Sequence, residues 1–136
     1  DQLLNQPGLL ADVSDSMAAF YDATVEMGIS ECVTAFTASD FGRTLTSNGD
    51  GTDHAWGSNH VVVGDAVAGQ RMYGAYPLLD LGGELDLGGG RIIPTTSADQ
   101  YAATLGRWFG IGEEDLTTVA PNLANFPESD LGFMVS

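Results

Sequence analysis

An uncharged run of eight residues, CVTAFTAS at positions 32–39, sets the first limit on the fold. The run is short, is rich in β-branched and small residues, and contains no glycine or proline. Such a run is typical of a strand buried on both faces, as in a parallel sheet. We therefore predict that residues 33–39 form an interior strand, with Asp40 at its carboxyl end.

Helical patterns lie on both sides of this run. Residues 15–27 place apolar side chains at 3.6-residue spacing, and Gly28 follows where a helix would end. Later in the chain, Ser97 and Gln100 form the sequence pattern of a capping box, followed by a second apolar stripe and a glycine. The sequence thus predicts two helices, with a third, short and acidic, over residues 113–119.

The order of the elements predicts the fold class. A polar loop at residues 40–59 is followed by a second strand pattern, HVVVG, at residues 60–64. Helix, buried strand, polar loop, strand and helix in this order are typical of an α/β sandwich with a mainly parallel sheet. Ligands bind such sheets at the carboxyl ends of the strands. The sequence therefore predicts a ligand site where Asp40 enters the loop.

Three side chains are assigned to the core. Cys32 begins the uncharged run, and a single cysteine is more often a small buried hydrophobe than a reactive thiol. Trp108 and Phe109 lie on the apolar face predicted for the second helix. We expect all three to contribute packing rather than ligand contacts.

The charge balance excludes several classes of partner. Nineteen carboxylates stand against four arginines, the chain has no lysine, and the formal net charge is −15. Phosphate backbones and anionic membranes would repel such a surface, so we expect neither nucleic acid nor lipid headgroups as partners unless bound cations mediate the contact. No apolar span of about twenty residues is present, so we predict no membrane insertion.

The chain begins with Asp1 rather than methionine, and no signal peptide is recognisable. The sequence is therefore expected to be a processed product or a fragment. A sheet covered on both faces needs more strands and helices than these 136 residues provide. We predict that residues 1–136 are the carboxyl-terminal part of a single α/β domain, stable only with a missing amino-terminal portion or with another subunit.

The polar loop carries side chains that could hold a metal ion. His54 and His60, the two histidines of the chain, lie in it or directly after it, together with Asp40 and Asp53. Carboxylate and imidazole groups together suit zinc, manganese or iron more than calcium. Because the glycines of the loop let the backbone fold back, we predict that Asp40 and His54 share a metal, with Asp53 or His60 as a further partner.

Other interpretations of the loop stay open. Asp50 lies in NGDG, where a turn is favoured over a ligand because Asp and Asn beside glycine bond their own backbone. For the adjacent pair Asp53 and His54, a metal-binding or catalytic role is favoured, whereas His60 fits a site or a structural role equally. Arg43 can clamp an anion through its planar guanidinium, or can pair with one of the many carboxylates.

Longer motifs carry a resemblance to a known family. FTASDFGRTLTSNGDGTDHAWGSNHVVVGDAV, IIPTTSADQYAATLGRWFGIGEEDL and the closing PNLANF resemble an exported bacterial family, domain of unknown function fifteen-oh-one. The resemblance runs over essentially the whole chain and corresponds to the carboxyl-terminal part of the family. Family members often begin with a twin-arginine export signal, which implies a periplasmic or extracellular location.

The family in turn is similar to the alkaline phosphatase and sulfatase superfamily, whose metal sites lie at the strand ends of an α/β sandwich. SDFG at residues 39–42 stands where those enzymes carry SDHG, so the resemblance implies that Asp40 is a metal ligand. Phe41 stands in place of an expected metal-binding histidine, which removes one ligand. GTDHAWG resembles the later histidine motif of the superfamily and implies His54 as a ligand, with Asp53 beside it.

Two functions from different classes are implied by this resemblance. The first is a metal-dependent hydrolase of small anionic phosphate or sulfate esters, with an upstream hydroxyl as nucleophile and Arg43 or the metal holding the anion. The second is a non-catalytic, cation-binding or structural exported protein whose site has decayed. The chain alone is expected to be inactive, because the nucleophile of the superfamily lies upstream.

Overall fold

A computed structural model of the chain describes residues 2–135. Within them lie three α-helices, four short strands and two 3₁₀ turns. The helices are α1 (Gln2–Glu26), α2 (Ala98–Phe109) and α3 (Leu116–Val119). The strands are β1 (Ala35–Phe36), β2 (Gly42–Ser47), β3 (Thr52–Ala55) and β4 (Val62–Val63), and the 3₁₀ turns are Ser30–Cys32 and Leu123–Asn125.

The elements fall into two compact units. The first contains the described residues up to Asp65 together with Pro77–Pro94, and so holds α1 and the four strands. The second contains Ala66–Tyr76 and the described residues from Thr95 onward, with α2 and α3. The predicted functional loop therefore belongs wholly to the first unit.

Both sheets are two-stranded and antiparallel. β1 pairs with β4, with Ala35 opposite Val63 and Phe36 opposite Val62, and β2 pairs with β3. Residues 2–135 contain no parallel strand pair. The prediction of an α/β sandwich with a mainly parallel sheet is therefore wrong.

The interior strand predicted over residues 33–39 is wrong as well. Only β1 is paired within this segment, and Phe36 is 52% exposed. An uncharged run of this length fits a short, half-exposed strand as well as a buried one, because periodicity does not reveal how many of its faces are covered. The second strand is confirmed at its centre, since β4 lies within residues 60–64.

The first helix is longer than predicted, because α1 begins at Gln2 rather than near Asp15. Pro7 and Gly8 lie inside α1, although proline and glycine both disfavour a helix interior. Apolar residues at helical spacing continue on both sides of this pair and extend the helix through it.

The predicted end of this helix is confirmed. Gly28 adopts a φ of 69° and donates its N–H to the carbonyl of Val25, while Ile29 donates to the carbonyl of Thr24. These two bonds form a Schellman motif, which satisfies carbonyl groups that would otherwise be left at the end of the helix. Glycine is required here because the left-handed conformation strains residues that have a side chain.

A side-chain contact ties the second half of α1 to the residues that follow β4. The Tyr21 hydroxyl donates a hydrogen bond to the carboxylate of Asp65. Hydrogen bonds from Ser30 and Tyr21 hold the pKa of Asp65 below its ordinary value, and the bond to Asp65 raises the pKa of Tyr21. Asp65 is therefore charged at neutral pH, and it fixes this part of the helix.

The second unit has a small core between its helices. Ala103, Leu116, Ala120 and Leu123 are buried and pack together, with Ile111 against them. Because these side chains come from α2, α3 and the turn after α3, their packing holds the carboxyl-terminal segment in one arrangement.

The helix ends of the second unit follow the sequence closely. The Ser97 hydroxyl accepts from the N–H of Gln100, and the Gln100 side chain accepts from the N–H of Ser97, so the capping box is confirmed. Gly110 ends α2 with a φ of 99°, as its position predicted. The acidic helix predicted over residues 113–119 is confirmed in its second half, where α3 lies.

The predicted core positions of Cys32, Trp108 and Phe109 agree less well with the structure than the predicted helix ends do. Cys32 is exposed, because it lies in a 3₁₀ turn at the surface of the first unit. Phe109 is 81% exposed, and Trp108 is half-buried. The buried face of α2 is formed instead by small residues such as Ala103 and Gly106, which let Leu116 approach. The predictions of a buried Cys32 and a buried Phe109 are therefore wrong.

Arg107 connects α2 to the segments that follow it. Its guanidinium donates two hydrogen bonds to the Glu113 carboxylate and two more to the carbonyl and hydroxyl oxygens of Ser129. The bond to Glu113 raises the pKa of Arg107, and the pKa of Glu113 is lowered by the same contact. One arginine therefore holds two otherwise irregular segments.

Candidate functional site

The predicted loop at residues 40–59 is mostly a β-hairpin. In the ribbon of β2 and β3, Arg43 lies opposite His54, and Gly42 lies opposite Ala55. Gly42 and Ala55 are buried, whereas Arg43 and His54 are exposed. Because side chains alternate along a strand, the ribbon has one packed face and one face toward solvent.

The tip of the hairpin is a turn built by an asparagine. The Oδ1 atom of Asn48 accepts the N–H of Asp50 at 3.2 Å and the N–H of Gly51 at 2.9 Å. This is the local bonding that makes Asn favourable in turns. The turn prediction for Asp50 is therefore confirmed.

The exposed face of the hairpin carries a stack of an arginine, a phenylalanine and a histidine. The rings of Phe41 and His54 are 3.7 Å apart between centroids and nearly parallel, at 16°. The Arg43 guanidinium lies 5.4 Å from the Phe41 centroid and donates to the carbonyl of Thr52 at 2.8 Å. His54 and Arg43 can thus meet an anion from solvent, but Phe41 covers one face of the imidazole.

Asp53 is directed away from His54. The two residues are consecutive in β3, so their side chains point to opposite faces of the ribbon. The Asp53 carboxylate accepts from the Asn48 side chain at 2.8 Å and forms an ion pair with Arg91 at 3.8 Å. Its contacts therefore hold the hairpin tip against the segment that contains Arg91.

Asp40 and His60 lie outside the paired strands. Asp40 is exposed and is separated from β2 by Phe41, so it does not end a buried strand as predicted. The Nδ1 atom of His60 lies 3.3 Å from the hydroxyl of Thr37, next to the β1–β4 ladder. The structure thus places these two residues at the ends of the hairpin region.

The predicted ligands do not gather at one point. Among residues 2–135, no group of three or more His, Cys, Asp and Glu side chains is arranged to hold a metal ion. The hairpin accounts for this, because the side chains of Asp53 and His54 point to opposite faces of β3. In addition, the Asp53 carboxylate forms an ion pair with Arg91. The donor set does not fit one ion in this arrangement, and the metal site stays a prediction.

A different feature was missed by the sequence analysis, namely an uncovered apolar face on α1. We define this apolar face by the side chains that a helical projection of residues 2–26 places on one side. They are Leu3, Leu9, Leu10, Val13, Met17 and Phe20. Leu10 is 60% exposed and Phe20 is 51% exposed, and only Met17 of the six is half-buried.

The spacing within this face is that of helix-on-helix packing. Leu10, Val13, Met17 and Phe20 follow one another at alternating intervals of three and four residues. Apolar residues at these intervals form the seam by which one helix packs against another. The apolar face therefore has the residue spacing of a helix surface that packs against another helix.

A groove of about 460 Å³ runs beside this seam, between α1 and β1. Its apolar walls are formed by Leu9, Val13 and Met17 on the helix and by Phe36 on the strand. Asp12 is the charged residue at its rim. The groove and the apolar face form one continuous surface, because Val13 and Met17 belong to both.

The sequence signal for this surface was present but was interrupted. Pro7 and Gly8 divide the apolar pattern of residues 2–26, and the prediction started the helix after them. The prediction therefore placed Leu3, Leu9 and Leu10 in no helix or strand, although all three lie in α1. The seam from Leu10 to Phe20 lies after this pair, and its first two residues precede the start predicted for the helix near Asp15.

Comparison with known protein families adds the identity of the chain's family. A family described as "Protein of unknown function (DUF1501)" matches residues 1–119. The chain belongs to the DUF1501 family. This finding confirms the family predicted from the sequence motifs, but it does not extend to the alkaline phosphatase superfamily, to hydrolase activity or to export, which stay predictions.

No curated protein and no solved structure matches this DUF1501 member. A search of its helices for a membrane span is also negative: within residues 2–135, none is both long and apolar enough to cross a bilayer. A function for this member of the family is therefore inferred from its own surfaces.

Proposed function

We propose that this DUF1501 member is a non-catalytic interaction module that binds a helix of a separate partner polypeptide on the apolar face of α1. The observation that supports the proposal is the exposure of that face, where Leu3 is 87% exposed and Leu10 60% exposed. Extended apolar patches on proteins are usually interaction sites. Exposure of these side chains to water is unfavourable, because burying one leucine side chain fully contributes about 1.5–3 kcal/mol to the free energy of association or folding.

The shape of the surface favours a helix as the partner element. The seam from Leu10 to Phe20 has the three-and-four spacing of paired helices. A helix lying on it would place apolar side chains into the groove between Met17 and Phe36. Such helix-in-groove binding depends on apolar contacts and requires no catalytic residue.

The contacts of the hairpin support a non-catalytic role. Phe41 covers His54, Arg43 is engaged with Phe41 and Thr52, and Asp53 is paired with Arg91. A general base needs to reach its substrate within about 2.6–3.2 Å, directly or through one water. Three of the side chains predicted to do chemistry, Arg43, Asp53 and His54, thus have contacts within the hairpin.

The interaction is tested with a fluorescently labelled amphipathic helical peptide built from leucine and glutamine. We expect saturable binding to residues 1–136, measured by fluorescence anisotropy. Val13→Gln should weaken binding about tenfold, which corresponds to about 1.4 kcal/mol, because it removes an apolar contact from the seam. Val119→Gln is the matched control and should bind like the wild type, since Val119 is 50% exposed and Val13 48% exposed.

Several outcomes would overturn this proposal. The absence of saturable binding would do so, as would equal losses in the two valine variants. Sedimentation that shows a dimer of the wild type, but a monomer of Val13→Gln, would identify a second copy as the occupant. Loss of peptide binding in a longer protein that includes upstream sequence would identify the amino-terminal portion as the occupant. Binding to phosphatidylcholine vesicles instead of the peptide would identify a membrane.

A metal-dependent hydrolase of phosphate or sulfate esters, periplasmic or extracellular, is the second candidate function. It is supported by the resemblance of SDFG and GTDHAWG to superfamily motifs, and by the exposure of Arg43 and His54 on one face of the hairpin. In this proposal zinc or manganese, rather than calcium, would be held by residues drawn from Asp40, Asp53, His54 and His60. These ligands would have to converge in a longer or rearranged protein. Here β3 holds Asp53 and His54 on opposite faces, and Asp40 and His60 lie outside the paired strands.

The hydrolase proposal is tested by metal retention. A longer protein that includes the upstream sequence is equilibrated with zinc or manganese, desalted, and examined by elemental mass spectrometry beside its His54→Ala and Asp50→Ala variants. If the proposal holds, His54→Ala loses the metal, whereas Asp50→Ala retains it because Asp50 only belongs to the hairpin turn. Retention of neither metal by this longer wild-type protein would contradict the hydrolase proposal.

A further inference from the structure

We infer that the helix bound by the apolar face of α1 carries basic residues beside its apolar stripe, and that one of them pairs with Asp12 at the rim of the groove. The inference rests on the proposed interaction function, and it adds the charge of the partner. It is carried by the distribution of charged residues around the groove.

Positive charge is missing from the whole segment that builds the groove. The first basic residue of the chain is Arg43, so α1, the following 3₁₀ turn and β1 contain no arginine, lysine or histidine. The longer stretch that precedes Arg43, residues 2–42, contains six carboxylates. They are Asp12, Asp15, Asp22, Glu26, Glu31 and Asp40. A partner with basic residues would be attracted to this surface, and an acidic partner would be repelled.

The acidic residues of α1 also lie along one side of the helix. Asp12, Asp15, Asp22 and Glu26 follow one another at intervals of three, seven and four residues, which places them on one stripe. Asp12 is the member of this stripe next to the apolar face and lines the groove, whereas the other three lie on the far side of α1. A helix lying in the groove would therefore have its flank next to Asp12.

The chemistry of lysine and arginine suits this position. Their aliphatic stems pack along apolar surface while the charged group stays in water. In the groove, such a stem would lie against Leu9 or Val13, with its charged end toward Asp12. A second copy of this chain is a poorer occupant, because its α1 would bring another acidic stripe and no basic residue.

The inference is tested with three labelled helical peptides of one apolar pattern, whose polar positions are lysine, glutamine or glutamate. We expect the leucine–lysine peptide to bind the chain at least tenfold more tightly than the leucine–glutamate peptide at low salt. The difference should shrink as salt is added, because the contacts lie at the surface. The leucine–glutamine peptide reports the apolar contacts alone.

A pair of charge-removing variants separates the local contact from the general attraction of an acidic chain. Asp12→Asn should weaken binding of the leucine–lysine peptide by about threefold or more, equivalent to the modest strength of an exposed ion pair. It should leave binding of the leucine–glutamine peptide unchanged. Asp80→Asn removes the same charge from an exposed residue outside the groove and should have little effect on either peptide.

The outcomes distinguish this inference from the interaction function on which it rests. Equal binding of all three peptides, or equal effects of Asp12→Asn and Asp80→Asn, would overturn the basic partner while leaving the interaction function standing. Failure of all three peptides to bind would overturn both. Lysine-dependent binding that Val13→Gln does not weaken would show general charge attraction rather than docking in the groove, and would also overturn the inference.

Discussion

Gly42→Ala should lower the free energy of unfolding of the first unit by about 3 kcal/mol or more, a loss typical of severe overpacking. A Cβ atom on Gly42 would overlap the backbone carbonyl of Gly57, which cannot turn away as a flexible side chain could. Gly42 is also held in register opposite Ala55. We therefore expect the hairpin to open, and with it the stack of Phe41 and His54.

The change can be followed in urea through the fluorescence of Trp56, which directly follows β3, in a Trp108→Phe background. The matched control is Gly8→Ala, because a Cβ at Gly8 meets nothing within 4 Å and the residue lies inside α1. This control should be neutral or stabilising by up to about 1 kcal/mol, as alanine is the better helix former. Equal stability of Gly42→Ala and the wild type would show that the ribbon does not pack against Gly57 in solution.

Local signals predicted the helix ends because each is determined by a few neighbouring residues. Ser97 and Gln100 bond each other across one turn, and Gly28 and Gly110 supply the left-handed conformation that a helix end requires. The start of α1 was missed for the same reason. Pro7 and Gly8 locally disfavour a helix, yet α1 runs through both of them.

The strands could not be predicted in the same way, because pairing is a non-local property. CVTAFTAS is compatible with an interior parallel strand and with a two-residue antiparallel strand, and only the partner decides between them. The hairpin did have a local signal, since Asn48 and Gly49 lie between residues of strand-forming type. That segment was instead assigned as a ligand-bearing loop, on the strength of its aspartates and histidines.

The site prediction placed its residues in a loop, whereas the structure places Asp53 and His54 in β3. In a flexible loop Asp53 and His54 could both turn toward one ion, but in β3 they are held on opposite faces. The metal site was therefore predicted from residue types alone. In the structure, Asp53 forms an ion pair with Arg91, and the ring of His54 stacks on that of Phe41. The interaction surface was missed for the converse reason, since exposed leucines on a helix become informative only once the structure leaves them uncovered.

Leu116→Ala should have the largest effect in the second unit, lowering its free energy of unfolding by about 3 kcal/mol. Leu116 is 1% exposed and packs with Ala103, Ala120 and Leu123, all of which are too small or too firmly placed to fill the space it would leave. A cavity in a core of so few side chains removes a large share of the packing that holds α2 against α3.

Trp108 on α2 reports this unfolding in a Trp56→Phe background, because each unit contains one of the two tryptophans. The control is Val119→Ala on the same short helix, where the side chain is 50% exposed and the expected loss is below about 1 kcal/mol. The peptide that binds α1 should still bind Leu116→Ala, because the apolar face lies wholly in the first unit. Equal destabilisation by the two variants would contradict the placement of Leu116 at the centre of this core, and loss of peptide binding would show that the two units do not act separately.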